Sequence, residues 1–132
     1  MSQFDAKLTK KEKELITVIL SRSEDKRDRR GTILEWKELT KLGFKPTQSK
    51  EQVQSLTNKL LKQKIAFIVE SKYSAEVVSF PVITKCRVMK DKTGGWAIMF
   101  SVCGDVLARN VHSFARIEAQ NDLADRFLAL SA

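Results

Sequence analysis

Val53, Leu56, Leu60 and Leu61 return at the spacing of one helical face, and Ser55, Asn58, Lys59 and Lys62 turn the other way. This pattern predicts an amphipathic helix over residues 49–64 whose outer side carries a hydroxyl, an amide and cations. Ser49 with Gln52 opens it as a capping box, because the serine oxygen accepts an orphan amide of the first turn while the glutamine reaches back. The apolar run from Ile65 to Val69 follows at once and reads as a strand.

The preceding pattern leads up to that helix. Residues 1–7 read as a loose lead-in. Thr9 and Glu12 form a second capping box, opening a helix that ends near Arg22 and keeps Leu15, Ile16, Ile19 and Leu20 on one stripe. Ser23 to Gly31 has no apolar residue and reads as an exposed charged loop, whose Arg27, Arg29 and Arg30 can meet phosphates or stay solvated. Thr32 to Leu34 makes a short strand, and Glu35 to Leu42 a short helix burying Trp36, Leu39 and Leu42. Gly43 supplies the left-handed residue that commonly ends a helix, and Pro46 rules out a continuous helix into the next one. A short helix, a tight break and a longer basic helix make a helix-turn-helix.

Ser71 to Glu76 is a polar connection. Val77 to Met89 reads as one long, slightly broken strand, with Pro81 at an edge or bend because it cannot donate a ladder bond. Val82, Cys86 and Val88 fall on one side of it, Lys85 and Arg87 on the other. Residues 90–95 turn the chain; then Trp96, Ile98, Phe100 and Val102 alternate with Ala97, Met99 and Ser101, the period of a strand with one buried face. Asp105 caps a short helix to Asn110. Residues 121–132 close the chain as an amphipathic helix with Leu123, Phe127, Leu128 and Leu130 apolar. The fold class is therefore α+β: a winged helix, with a helix-turn-helix, a long β-hairpin wing and C-terminal helices, in a single domain over residues 1–132.

Charge sharpens this reading. The net charge is +8, and residues 1–92 hold 21 Lys or Arg against 12 Asp or Glu, whereas residues 93–132 hold 3 against 4. All the excess cation precedes the far side of the hairpin, which makes a polyanion such as double-stranded DNA the first partner to consider. A basic protein without such a partner remains the alternative. No apolar run approaches the roughly 20 residues of a membrane span, and the N-terminus lacks a signal-peptide core, so a cytoplasmic protein without membrane contact is the default.

Catalytic chemistry is hard to place. There is no phosphate-cradling glycine loop, no GxSxG and no HExxH. Cys86 and Cys103 have no CxxC or histidine companions and read as small, partly buried apolar residues of a reducing compartment. His112, the sole histidine, has no second ligand beside it, and Asp122 with Asp125 is explained by one solvated helix face. The sole tyrosine, Tyr73, lies in a polar connector. We therefore expect no enzyme activity, no catalytic residues, no metal site and no cofactor.

In a winged helix of this kind, Ser55 and Asn58 reach base edges, asparagine being able to make a bidentate contact to adenine. Lys59, Lys62, Lys85, Arg87, Lys90 and Lys92 take phosphates. A merely solvated helix face is the competing account of the four helix residues.

The stretch VVSFPVITKCRVMKDKTGGWAIMFSVCGDVL, residues 77–107, resembles the N-terminal winged helix of the iteron-binding plasmid replication initiators, the Rep family. The matching features are Ser79-Phe80-Pro81 entering a strand, a basic turn, the alternation to Phe100-Ser101-Val102 and a short helix at Asp105. LTKKEKELITVIL is similar to the family's opening helix, QSKEQVQSLTNKLLKQKIAFI to its helix-then-strand, and NDLADRFLALSA to a later helix, with Ala124, Arg126 and Leu130 at matching positions and Phe127 replacing the usual Leu-Tyr pair. The resemblance implies an origin-binding initiator that contacts the phosphate backbone, forms homodimers and works with host replication proteins. Family members usually carry two winged helices, of which the second makes most base contacts, so the resemblance implies either the N-terminal half of a two-domain initiator, supplying dimerisation and phosphate contacts, or a reduced one-domain relative with a regulatory or accessory role. A winged-helix transcriptional repressor, or a protein–protein dimerisation module without base reading, are the competing functions.

Overall fold

A computed structural model describes residues 2–23, 31–46, 49–90, 92 and 95–130. Arg27, Arg29 and Arg30 of the charged loop, Thr47 and Gln48 of the helix–helix turn, Asp91, Thr93 and Gly94 of the hairpin turn, and the last two residues lie outside that set.

The two capping boxes fall where the sequence puts them. Helix α1 (Lys10–Arg22) opens with Thr9 and Glu12 in a reciprocal capping box and buries Leu15, Ile16, Ile19 and Leu20 completely. Strand β1 (Gly31–Glu35) leads directly into α2 (Trp36–Lys41), with Glu35 as its N-cap. The end of α2 shows why Gly43 is needed: its N–H donates to the Thr40 carbonyl at 3.1 Å, and its φ of +107° then turns the chain back so that the Phe44 N–H reaches the Leu39 carbonyl at 3.3 Å. This double closure joins the buried side chains of Leu39 and Phe44. An alanine at position 43 has room for its Cβ, so Gly43→Ala should cost about 1 kcal/mol through backbone strain. Chemical denaturation would show that as a lower midpoint at unchanged slope.

Helix α3 (Lys50–Leu61) opens at Ser49 with the predicted capping box and buries Val53, Leu56, Thr57 and Leu60, with Leu61 partly covered. Strand β2 (Lys64–Glu70) then pairs antiparallel with β3 (Ala75–Pro81), from Lys64 opposite Pro81 to Glu70 opposite Ala75. The polar connection is therefore shorter than expected, and Ala75 and Glu76 are strand. The long strand expected over residues 77–89 is two strands in two sheets. Its second part, β4 (Ile83–Lys90), pairs with β5 (Trp96–Val102), which pairs on its other edge with β1, giving the order β1-β5-β4.

Val82 is the corner between the sheets. Its N–H donates to the Gln63 carbonyl at 3.1 Å, and its own carbonyl accepts from the Cys103 N–H at 3.0 Å. Pro81, without a donor to lose, stands just before this change of partner. At the far end of the three-stranded sheet, Gly31 lies against the β5 backbone so closely that a Cβ would come 2.0 Å from the Phe100 oxygen.

The next short helix, α4 (Gly104–Ala108), begins one residue earlier than expected. Cys103 is its N-cap, without a side-chain cap bond, so Asp105 is inside the helix rather than capping it. The closing helix α5 (Phe114–Leu130) starts seven residues before the predicted Asn121. It buries Phe114, Ile117, Asn121 and Ala124, while Leu123, Leu128 and Leu130 are exposed, so the predicted apolar face is not the packed one.

Nor is the lead-in loose. The Gln63 side chain, fully buried, accepts from the Ala6 N–H and donates to Asp5, and Asn121 donates to the same Asp5 carboxylate. These bonds tie the N-terminal segment, β2 and α5 together. Elsewhere α1, α2 and α3 cover one face of the β1-β5-β4 sheet, and their apolar side chains join Leu34, Ile98, Phe100 and Val102 in one core. Over the other hairpin, the Arg109 guanidinium lies 4.6 Å from the Phe67 ring centroid and 5.7 Å from that of Phe80.

Both cysteines are free and half-buried, as their spacing suggested. Burial pushes the Cys86 thiol from 9.0 up to about 11. At pH 8 this leaves about a hundredfold less thiolate than an unperturbed cysteine carries, so Cys86 should alkylate about a hundredfold more slowly folded than in urea. Timed iodoacetamide labelling with peptide mapping checks it; equal rates would mean that the core side of β4 is open to solvent.

Candidate nucleic-acid interface

Ser55, Asn58, Lys59 and Lys62 stand at positions i, i+3, i+4 and i+7, so one stripe of α3 carries all four. All are exposed, because the opposite stripe of Val53, Leu56 and Leu60 fills the core. Ser55 and Asn58 present a hydroxyl and an amide within one turn of each other. Lys62 is the C-cap of the helix, where a cation also meets the helix dipole favourably.

Lys59 differs from the other three. Its ammonium lies 3.4 Å from the Glu12 carboxylate of α1, a group that is 7% exposed and also accepts from the Thr9 N–H at 2.8 Å. The Lys59 side chain itself is 46% exposed. It therefore serves the α1–α3 contact as well as the outer face, and its charge is partly compensated there.

The wing cations divide by strand parity. Cys86 is opposite Phe100 and Val88 opposite Ile98, so these β4 residues face the helices, and Lys90, opposite Trp96, continues that side toward the tip. Its ammonium lies 5.2 Å from the centroid of a Trp96 ring. Lys85 and Arg87, opposite Ser101 and Met99, stand on the reverse face of the sheet. On that face Met99 is also opposite Ile33 of β1, which is 57% exposed. Lys92 is exposed in the turn.

The structure thus brings the four α3 residues into one stripe and sets Lys90 on the helix side of the wing. Lys85 and Arg87 are not on that side. The wing cations expected from the sequence to take phosphates are therefore split between two faces of the sheet, because alternate strand positions point to opposite sides.

Two basic residues that the sequence reading passed over also belong near this surface. Lys11 of α1 and Lys45 of the α2–α3 turn stand beside Gln52, Ser55 and Lys59 at the edge of α3. Their positions depend on the packing of α1 across α3, contacts that no local spacing encodes. Among the described residues there is no cluster able to hold a metal ion and no helix long and apolar enough to cross a membrane.

A family model described as "Initiator Replication protein, WH1" matches residues 1–122. No curated protein and no solved structure matches the chain at a significant level.

Proposed function

The chain belongs to the initiator replication protein WH1 family, and from that premise we propose that it binds duplex DNA at a replication origin of the plasmid type. The observation that carries this reading is the α3 stripe: a hydroxyl, an amide and two lysines at helical spacing on the exposed side of the second helix of a helix-turn-helix. In the proposed complex, α3 lies in the major groove. Ser55 and Asn58 meet base edges, Lys59 and Lys62 meet phosphates, and the wing adds Lys85, Arg87, Lys90 and Lys92. The protein acts by binding, without catalysis or cofactor, and it does so in the cytoplasm, as a homodimer at some stage and with host replication proteins.

Footprinting on the replicon that encodes the chain tests the reading. Protection of tandem direct repeats supports an initiator, whereas a single protected palindrome supports a repressor, and no protection at low salt rejects both. Asn58→Ala should weaken binding to the protected sequence by about 1–3 kcal/mol while leaving binding to unrelated duplex unchanged. Equal losses on both duplexes would assign Asn58 to the backbone instead.

A further inference from the structure

A cleft of about 240 Å³ opens between α1, the α2–α3 turn and the N-terminal half of α3. Trp36, Phe44 and Leu56, all buried, form its apolar floor, and Lys11, Lys45 and Lys59 stand around it. The Lys11 ammonium lies 5.1 Å from the Phe44 ring centroid, where it is held at the mouth. The one acid in the wall, Glu12, already accepts from the Thr9 N–H and pairs with Lys59.

We propose that this cleft docks an acidic peptide segment of a partner protein, with one apolar side chain seated on Trp36 and Phe44 and flanking carboxylates on the lysines. Size favours this occupant. The volume is below the roughly 300–1,000 Å³ of small-molecule sites, and an apolar floor of this small extent suits one anchor side chain, the form in which interface binding energy is concentrated. A nucleic-acid strand is the poorer fit. Phosphate gains nothing from an aromatic floor, and Trp36 meets Phe44 at 68° between ring planes, which leaves no flat platform for a stacked base. Charge complementarity is direct, since cations outnumber acids around the cleft and its one acid is paired.

Ser55 and Lys59 belong both to this cleft and to the α3 stripe assigned to DNA. Resting on that assignment, the second part of the inference is that peptide and duplex exclude one another, so a partner that fills the cleft releases the initiator from its site.

Trp36 on the floor is a built-in reporter. In a Trp96→Phe background it is the sole tryptophan, and its emission is followed while a synthetic Asp/Glu-rich peptide with one central Phe is added. A saturable change is expected. Replacing the peptide's Phe with Ala should raise Kd about 30-fold, and Lys11→Glu in the protein, checked for folding by circular dichroism, about tenfold. No saturable change, equal binding of the Ala peptide, or indifference to Lys11→Glu overturns the docking site. The Ala-peptide comparison needs no altered cleft and so stands even if Lys11→Glu unfolds the chain. In a second titration, the Phe peptide should displace a labelled duplex. A ternary complex overturns mutual exclusion, and a duplex that never binds rejects the DNA reading while leaving the peptide result intact.

Discussion

Asn121→Leu is expected to destabilise the domain by about 3 kcal/mol, a fall in melting temperature on the order of 10 °C for a chain of this size. The asparagine is fully buried in a helix face otherwise made of Phe114, Ile117 and Ala124. Its Oδ1 accepts from the Ala66 N–H at 2.8 Å, and its Nδ2 donates to Asp5 at 2.8 Å and to the Lys64 carbonyl at 3.0 Å. Leucine preserves the bulk and removes all three bonds, so the buried Ala66 amide is left without a partner.

The effect should reach beyond α5. Asn121 fixes the edge of β2, and the residue before β2, Gln63, supplies the carbonyl to which Val82 donates at the base of the wing. Thermal unfolding followed by circular dichroism measures the loss, with the neighbouring exposed Asp122→Ala as a control expected to stay within about 0.5 kcal/mol. A shift no larger than the control's would mean that the polar network is not what holds α5 to the hairpin.

The same network marks where the sequence stopped being readable. Capping boxes and helix ends are local, so Thr9 with Glu12, Ser49 with Gln52, and Gly43 could be placed from their neighbours alone. The stripe of α5 runs Phe114, Ile117, Asn121, Ala124, and an amide with a small residue at core positions hides its period. Its bonds go to partners 55 and 116 residues away, which no window along the chain can contain. The division at Val82 has a similar cause. Alternation continues from β3 into β4, and only a change of pairing partner, from β2 to β5, ends one strand and starts the next.

The candidate interface was legible to a similar degree. Spacing alone puts Ser55, Asn58, Lys59 and Lys62 on one face, whereas the separation of Lys85 and Arg87 from Lys90 needed the β4–β5 register, because the sequence reading put Lys90 in the turn rather than in the strand. The pairing of Lys59 with Glu12, 47 residues away, and the cleft behind it come from helix packing and were not.

Lys90→Ala combined with Lys92→Ala should reduce affinity for any duplex and flatten its salt dependence, lowering the slope of log K against log salt by about 1.8 if each lysine neutralises one phosphate. Both are exposed toward the tip of the wing, and neither belongs to the core, so stability should change by less than about 0.5 kcal/mol. Lys90 is the better placed of the two. Its ammonium already lies over the Trp96 ring, which limits the freedom lost when it meets a phosphate oxygen. Because phosphates carry no sequence information, specific and unrelated duplexes should lose equally, which separates this pair from Asn58. Lys72→Ala, in the turn of the other hairpin, removes the same charge from a different place and serves as the control for net charge. Fluorescence anisotropy across a salt series makes the comparison. If Lys72→Ala flattens the slope as much per charge as the wing pair does, attraction comes from the protein's overall charge, and the wing has no special part in holding DNA.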